Sequence, residues 1–270
     1  MHRNELVNLI LDKLRTGKSA IRHLYDQSKA RIGYFTIDGL LPEGVARKIY
    51  DAFPSPEHMK LRKSLREYKY VAAQMDQYDP ILEEAIYAFQ DPRIVELIQE
   101  VCGIDSLYPD EYLYAGGISL MKKGQFLNPH LDNSHEKDRE RWRVLNLLYY
   151  VSPDWESRFG GNLEIWPDGV KQPQQTIDST FNRLVVMATH GASWHSVSPV
   201  VADRNRACIS NYYFSDSPLK AGDRFHVTSF RGRPEQKVRD VALQGDALFR
   251  QGIRKLLPGG VVKTDHLYRK

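Results

Sequence analysis

The pattern of apolar and polar positions divides the chain into helical ends and a middle of short strands. Apolar residues recur at helical spacing over residues 5–24 and again over 236–257, which predicts the first and last helices. β-Branched and aromatic residues predict a strand over 32–37. Three further helices are predicted, each beginning near a proline: 42–53, 80–89 and 92–102.

The middle of the chain, from residue 111 to 215, alternates short apolar stretches with turn residues. Many short, evenly spaced strands are typical of two sheets packed around a core. The order of elements therefore predicts the α+β class, with a double-stranded β-helix (jelly roll) core, N-terminal helices packed on it and a C-terminal helix. The predicted strands are 111–121, 126–132, 143–151, 161–166, 174–178, 183–189, 194–200 and 206–215.

The length of 270 residues fits one large domain, which we divide into three parts. We expect an N-terminal helical and lid part over 1–110, the jelly-roll core over 111–218 and a C-terminal helical tail over 219–270. Hydrophobic residues make up 41% and charged residues 27% of the chain, which excludes a disordered or collagen-like protein.

Cysteine usage and the apolar runs indicate a compartment. Cys102 and Cys208 are too few and too far apart for a disulfide framework or a thiolate zinc site. No apolar run approaches the roughly 18 residues that a membrane span needs, and the first residues do not read as a secretion signal. These features predict a soluble, cytoplasmic protein.

The net charge of +4 is unevenly placed. From Arg231 onward there are ten Lys/Arg and four Asp/Glu, whereas the preceding residues carry 28 basic and 30 acidic side chains. The basic tail is expected to be a solvated helix face, with contacts to nucleic acid or acidic surfaces as the alternative.

The stretch that carries most of the chemical information contains His130 and Asp132, separated by one residue. Because residues i and i+2 of a strand share a face, an imidazole and a carboxylate can point into the core together. His195 lies in a later strand, and later strands of a jelly roll return beside earlier ones. Two histidines and a carboxylate form a facial set that leaves open positions on iron(II). A surface histidine and a turn aspartate are the alternative.

A second candidate is Arg206, which opens the mostly apolar strand 206–215. An arginine that points into an apolar core needs a buried anion. Its planar guanidinium suits a carboxylate bound through two N–H groups. The alternative places Arg206 at the exposed end of its strand.

Several motifs follow one another between residues 111 and 218: His130-x-Asp132, Leu147–Val151 with Asp154-Trp155, Gly160–Leu163, Phe181–Val185, His195-x-Val197-x-Pro199-Val200, Arg206 and Tyr213-Phe214. In this order they resemble the iron(II)/2-oxoglutarate-dependent dioxygenases, and within them the prolyl hydroxylase-like group. The resemblance covers about two-fifths of the chain.

The resemblance assigns roles to individual residues. His130, Asp132 and His195 would hold Fe(II), and Arg206 would hold the distal carboxylate of the cosubstrate 2-oxoglutarate. Arg204 is the alternative to Arg206, because it lies at the family's usual distance from the second histidine.

The strand 143–151 is also implied in cosubstrate binding. Tyr150 matches a family tyrosine that helps to hold the same carboxylate. A second family tyrosine is replaced here by Leu120, and Asn146 is the candidate for supplying the missing polar group. His190 could compete with His195 as a metal ligand, but a loop position is expected for it.

The resemblance implies an enzyme that hydroxylates an unactivated C–H bond with dioxygen and converts 2-oxoglutarate to succinate and carbon dioxide. Ascorbate is a further cofactor that the resemblance allows. Halogenating relatives have a small residue at the position of Asp132, so halogenation is not expected.

The sequence leaves the substrate open. The resemblance implies a prolyl or other residue in a protein, and the alternative is a small metabolite such as a sugar acid, an amino acid or a natural-product intermediate. A non-catalytic jelly-roll binding module is a remote alternative from another class. Nucleic acid is not expected as a substrate, because the near-neutral body lacks a basic stripe.

Residues 54–79 are polar, basic and rich in tyrosine, with no clear period. One interpretation is a solvated connection, and the other is a flexible lid over the iron site. As part of a lid, Arg62 and Arg66 would favour a substrate with a carboxylate or phosphate.

Overall fold

The computed structural model describes residues 1–256 and residue 268, with side chains given to residue 252 and for Tyr268. The helices are α1 Arg3–Ser28, α2 Glu43–Asp51, α3 Pro80–Ala88, α4 Pro92–Cys102 and α5 Lys237–Leu256. The strands are β1 Tyr34–Asp38, β2 Lys60–Lys63, β3 Glu67–Ala72, β4 Tyr108–Pro109, β5 Gly117–Met121, β6 Phe126–Leu131, β7 Trp142–Tyr150, β8 Leu163–Ile165, β9 Gln175–Ile177, β10 Arg183–Ala188, β11 His195–Val197, β12 Arg206–Ser215 and β13 Ser229–Phe230.

The N-terminal helices begin where local chemistry favours it. The Asp79 and Asp91 carboxylates accept hydrogen bonds from backbone N–H groups in the first turns of α3 and α4, and a proline follows each as the first helical residue. Helix α1 packs on α3 and α4. The three helices bury apolar faces against one side of the sheet, which confirms the predicted helices on a β-core.

The strands form one curled antiparallel sheet in the order β1-β10-β7-β12-β5-β3-β6-β11-β8-β9. Alternation on β7 separates two cores. Leu145, Leu147 and Tyr149 face the helices, whereas Leu148 and Tyr150 face the interior between the two layers of the roll. The jelly-roll prediction is confirmed, and its interior face carries the candidate site.

The prediction of an irregular segment over 54–79 is wrong. Strands β2 and β3 form an antiparallel hairpin, and β3 also pairs with both β5 and β6. Its residues are half-buried on both faces, so the sequence shows no period of two. The hairpin joins the two layers of the sheet beside the candidate site.

One smaller prediction also needs correction. The strand expected over 111–121 begins only at Gly117, because the Asp110 carboxylate accepts hydrogen bonds from three successive backbone N–H groups and holds residues 114–116 in a turn. The helix predicted over 236–257 is confirmed by α5, although two of its apolar residues, Val238 and Leu248, are 87% and 71% exposed.

Part of the expected tail lies outside the described residues, namely 257–267 and 269–270 with their share of the basic side chains. Among the helices that are described, none combines the length and the apolar character needed to cross a membrane.

Candidate metal and cosubstrate site

Neighbouring strands bring the three predicted ligands together. His195 on β11 lies directly opposite His130 on β6, and Asp132 follows the end of β6. The Nε2 atoms of His130 and His195 are 3.7 and 3.6 Å from the two carboxylate oxygens of Asp132. One ligand atom from each residue lies within 4.8 Å of the others, so the group could hold a metal ion.

Backbone carbonyls orient both imidazoles. The Nδ1 atom of His130 is 3.0 Å from the Asn128 carbonyl, and that of His195 is 3.0 Å from the Ser193 carbonyl. A neutral ring that donates from Nδ1 presents its Nε2 lone pair, as a metal ligand must. Burial, followed by the neighbouring His195, lowers the pKa of His130 to about 3, so its ring is neutral near pH 7 in the metal-free protein.

The aspartate has a cationic neighbour. Burial by itself would raise the pKa of the Asp132 carboxyl, but Arg143 and the two histidines outweigh it and hold the pKa below its usual value. Arg143 Nη1 is 3.5 Å from Asp132 Oδ1, and its guanidinium lies over the Tyr212 ring. Within the described chain, the Oδ2 atom is buried and has no hydrogen-bond partner. This donor set fits a divalent metal.

The competing histidine lies outside the group. His190 is buried, but among the described residues the candidate ligand cluster consists of His130, Asp132 and His195 alone. The Nδ1 atom of His190 instead accepts a hydrogen bond from the Ala192 N–H.

Arg206 begins β12 and points into the interior. Arg206 is only 3% exposed. Its guanidinium carbon lies 4.7 Å from the centre of the Tyr150 ring, and its Nη2 atom lies 3.5 Å from Ser179 Oγ. In the described part of the chain it forms no salt bridge, and its Nε has no partner. Gly161, at φ +66°, makes room for its stem, since a Cβ there would come within 3.3 Å of Arg206 Cγ. A buried guanidinium of this kind fits a small carboxylate ligand.

The alternative arginine faces the other way. Arg204 is exposed and donates to the backbone carbonyls of Pro153 and Asp154. Its side chain therefore lies outside the interior that Arg206 enters.

Tyr150 and Asn146 lie on the same face of β7 as expected. Both are buried, and neither the Tyr150 hydroxyl nor Asn146 Oδ1 has a hydrogen-bond partner among the described residues. Burial raises the pKa of Tyr150, so the hydroxyl remains protonated. Leu120 packs against the helices, on the opposite face of the sheet from the interior. A tyrosine at this position would therefore point away from the cosubstrate pocket.

The two arginines of the hairpin have different ion-pair partners. Arg66 reaches away to bond the Asp246 carboxylate of α5, whereas Arg62 lies 3.6 Å from Glu67 of β3. Arg62 lines a cleft of about 370 Å³ between the hairpin and β5, which we call the hairpin cleft. Arg66 does not line it.

Sequence reasoning missed several residues around the site. Lys69 on β3 lines the hairpin cleft, and Phe230 on β13 stacks on the His130 ring with 5.1 Å between centroids. Tyr212 lies six residues after Arg206 on the same strand, a spacing that could have placed both on one face. Nothing local to Ser179 signals its place beside Arg206.

Comparison with known proteins matches the middle of the chain. The family described as the 2OG-Fe(II) oxygenase superfamily matches residues 116–214. A Mus musculus protein, prolyl 3-hydroxylase OGFOD1, is 32% identical over 88 residues, which are 31% of this chain and 16% of the relative. The matched part therefore spans only a small fraction of that relative's length.

Solved structures share the fold. A prolyl-4-hydroxylase from Pseudomonas putida has a TM-score of 0.52 at 17% identity, with 72% of this chain and 97% of that chain covered. A prolyl hydroxylase from Trichoplax adhaerens, in complex with a peptide fragment of hypoxia inducible factor, has a TM-score of 0.52 at 17% identity, with 74% and 91% covered. The family match identifies residues 116–214 as a 2OG-Fe(II) oxygenase domain, and the two solved prolyl hydroxylases share its fold.

Proposed function

We propose that the chain is an Fe(II)/2-oxoglutarate-dependent dioxygenase that hydroxylates an unactivated C–H bond in a prolyl or other residue of a protein. The observation that carries the proposal is the pairing of a buried His130, Asp132 and His195 group with an interior arginine, Arg206. Neither feature alone defines the reaction, but together they would provide a metal site and a carboxylate site in one interior.

His130, Asp132 and His195 would hold Fe(II). The bound metal would activate dioxygen as the oxidant, with 2-oxoglutarate supplying two electrons: one oxygen atom would enter the substrate C–H bond, and the other would enter the succinate formed as 2-oxoglutarate loses carbon dioxide. The chain fixes the two rings through the Asn128 and Ser193 carbonyls before any metal arrives. Pre-oriented ligands lower the cost of binding.

The inner end of the interior would bind the cosubstrate. Arg206 offers parallel N–H donors to the distal carboxylate, and the Tyr150 hydroxyl and Ser179 Oγ stand beside it. Asn146, whose Oδ1 has no partner in the described chain, is the proposed further polar contact. The apolar walls around Tyr150 exclude water, which strengthens these interactions.

The names of two similar proteins support a protein as the substrate. The Trichoplax relative is solved with a peptide fragment, and the matched mouse relative is named as a prolyl 3-hydroxylase. Hydroxylation of a small metabolite is the outcome that would replace this part of the proposal, while the part on metal and cosubstrate would stand.

The test compares two histidines that lie five residues apart. His195→Ala should lose Fe(II) binding and succinate formation, because it removes a ligand. His190→Ala is the matched control, and it should keep both. Loss in His190→Ala with retention in His195→Ala would contradict the proposal.

A second experiment separates the two substrate classes. It measures succinate formation by the wild type in the presence of proline-containing peptides and in the presence of a panel of sugar acids and amino acids.

A further inference from the structure

A second, larger cleft lies near the ligand group and is separate from the hairpin cleft. It encloses about 970 Å³ between the chain around Arg31, the loop before Trp142 and the segment 220–227, and we call it the distal cleft. Phe225 lies in its wall, 47% exposed and stacked on Trp142 with 4.2 Å between ring centroids.

Both clefts lie close to the candidate metal site. A small pocket around Asp132 shares three lining residues with the distal cleft: His190, Asp223 and His226. Asn133 Nδ2 lies 3.4 Å from the Tyr114 hydroxyl, and Tyr114 lines the hairpin cleft. Both clefts therefore lie near the aspartate, and they share no lining residue with each other.

The hairpin cleft is basic. Its described lining includes Lys60, Arg62 and Lys69 and contains no carboxylate. Glu67, just outside the lining, lies 3.1 Å from Lys69 and 3.6 Å from Arg62, so it balances only part of this charge.

The distal cleft is basic as well. Arg139, Lys220 and Arg224 line it, and none of the three forms a salt bridge with a described carboxylate. The Lys220 ammonium instead donates to backbone carbonyls at the end of α1. Asp223 is the sole carboxylate in the described lining, and one of its oxygens already accepts from the Gly191 N–H at 3.0 Å.

Two separate basic clefts near one reactive centre suit a long ligand better than a compact one. A small metabolite fills a single pocket of roughly 300–1,000 Å³. An extended polypeptide advances about 3.3 Å per residue, so it can place one residue at the metal and its neighbours in both clefts. Matched charge on each side would favour its binding and its register.

We infer that the distal cleft is a binding site for the substrate chain, and that the substrate is an extended polypeptide with acidic residues on both sides of the hydroxylated residue. The inference rests on the proposed function and deepens it. One flank binds the hairpin cleft through Lys60 and Arg62, and the other binds the distal cleft through Lys220 and Arg224.

The test measures binding without turnover. Labelled peptides with one central proline carry glutamates on both sides, on the N-terminal side, on the C-terminal side or on neither. Fluorescence anisotropy follows their binding to the full chain with Zn(II) and 2-oxoglutarate. The variants are Lys220→Glu with Arg224→Glu and Lys60→Glu with Arg62→Glu. The matched control is Lys123→Glu with Lys171→Glu, two exposed lysines outside both clefts.

The two-sided peptide should bind at least about tenfold more tightly than the neutral one, and each cleft variant should weaken it about tenfold relative to the control. The distal-cleft variant should weaken only one of the two one-sided peptides, and the hairpin-cleft variant only the other. Thermal melting confirms that each variant is folded.

Three results would overturn the inference: both cleft variants match the control, both weaken the same one-sided peptide, or a thymidine oligonucleotide binds more tightly than the two-sided peptide. Each would leave the reaction itself standing, because metal and cosubstrate bind through other residues. Absence of succinate formation by the wild type under every condition would instead contradict the proposed function.

Discussion

The surroundings of Arg206 and the hairpin cleft differ in whether their charged side chains have partners of opposite charge. At the inner end, Arg206 is 3% exposed and forms no salt bridge with a described carboxylate. At the hairpin cleft, Glu67 lies 3.1 Å from Lys69 and 3.6 Å from Arg62. The inner end is thus shaped by packing for one small anion. At the hairpin cleft, the carboxylate of a binding partner can replace Glu67 in its ion pairs.

The difference has an energetic consequence. A buried charge without a partner costs several kcal/mol, so an anion that reaches Arg206 gains a strong interaction. The ion pairs of Glu67 are partly exposed, with side-chain exposures of 17–35%, and each carboxylate–cation contact there is already made, so a further partner gains less than at Arg206. Substitutions at the inner end should therefore have larger effects on ligand binding than substitutions at the hairpin.

The largest effect is expected at the metal ligands. Asp132→Ala removes the one carboxylate of the group and leaves the Arg143 guanidinium without it. Metal affinity should fall by more than about a hundredfold, since even outer contacts of a metal ligand are worth ten- to a hundredfold. Metal content after dialysis measures the effect. Asp138→Ala, an exposed carboxylate in the same loop, is the control and should keep the metal. Equal metal content in both would show that Asp132 is not a ligand.

The next largest effect is expected at the inner end. Arg206→Ala should weaken 2-oxoglutarate binding by hundreds-fold, because removing one partner of a buried ion pair costs about 3–5 kcal/mol. Metal binding should persist. Calorimetry with the metal-loaded protein measures the affinity. Arg204→Ala should bind as the wild type does, and a reversed result would move the carboxylate site to Arg204.

Two adjacent tyrosines on β7 sharpen the same point. The Tyr149 hydroxyl donates to Asn182 Oδ1 at 2.8 Å, whereas the Tyr150 hydroxyl has no partner in the described chain. Tyr149→Phe should lower the free energy of unfolding by about 1 kcal/mol and leave 2-oxoglutarate affinity unchanged.

Tyr150→Phe should do the opposite. The free energy of unfolding should not fall, and 2-oxoglutarate should bind about tenfold or more weakly, because a hydrogen bond to a charged carboxylate is worth about 1.5–3 kcal/mol. Urea unfolding of the metal-free protein and calorimetry of the loaded protein read the two effects separately. The same pattern in both variants would remove the distinction between the two faces of β7.

The smallest effect is expected in the hairpin. Arg66→Ala breaks the contact with Asp246 that ties the hairpin to α5. Because both side chains are about one-third exposed, the free energy of unfolding should fall by less than about 1 kcal/mol. Affinity for 2-oxoglutarate should not change. Asp246→Ala is the matched partner variant, and a double-mutant cycle isolates the pair. A loss of cosubstrate affinity in Arg66→Ala would show that the hairpin is coupled to the inner end.

The strands around the site were predictable because their apolar residues are clear. Residues 183–189 were predicted from five consecutive apolar residues, and β10 occupies Arg183–Ala188. The rule that residues i and i+2 share a face correctly brought His130 and Asp132 together. Both inferences rely on short-range pattern, which the sequence carries directly.

The hairpin could not be read in the same way. Lys60, Arg62 and Lys63 make β2 look like a solvated loop, and β3 is half-buried on both faces, so no alternation appears. Its register comes from pairing with β5 and β6, which is tertiary information. The ion pairs that occupy Arg62 and Arg66 are likewise set by distant residues.

The most direct test of the central claim is an anaerobic titration of 2-oxoglutarate into the Fe(II)-loaded and the metal-free wild type, compared with Arg206→Ala. If one interior binds metal and cosubstrate together, binding should be stoichiometric only when Fe(II) is present, and Arg206→Ala should need at least about a hundredfold more 2-oxoglutarate for the same saturation. The same affinity with and without Fe(II), or an unchanged titration in Arg206→Ala, would contradict the account.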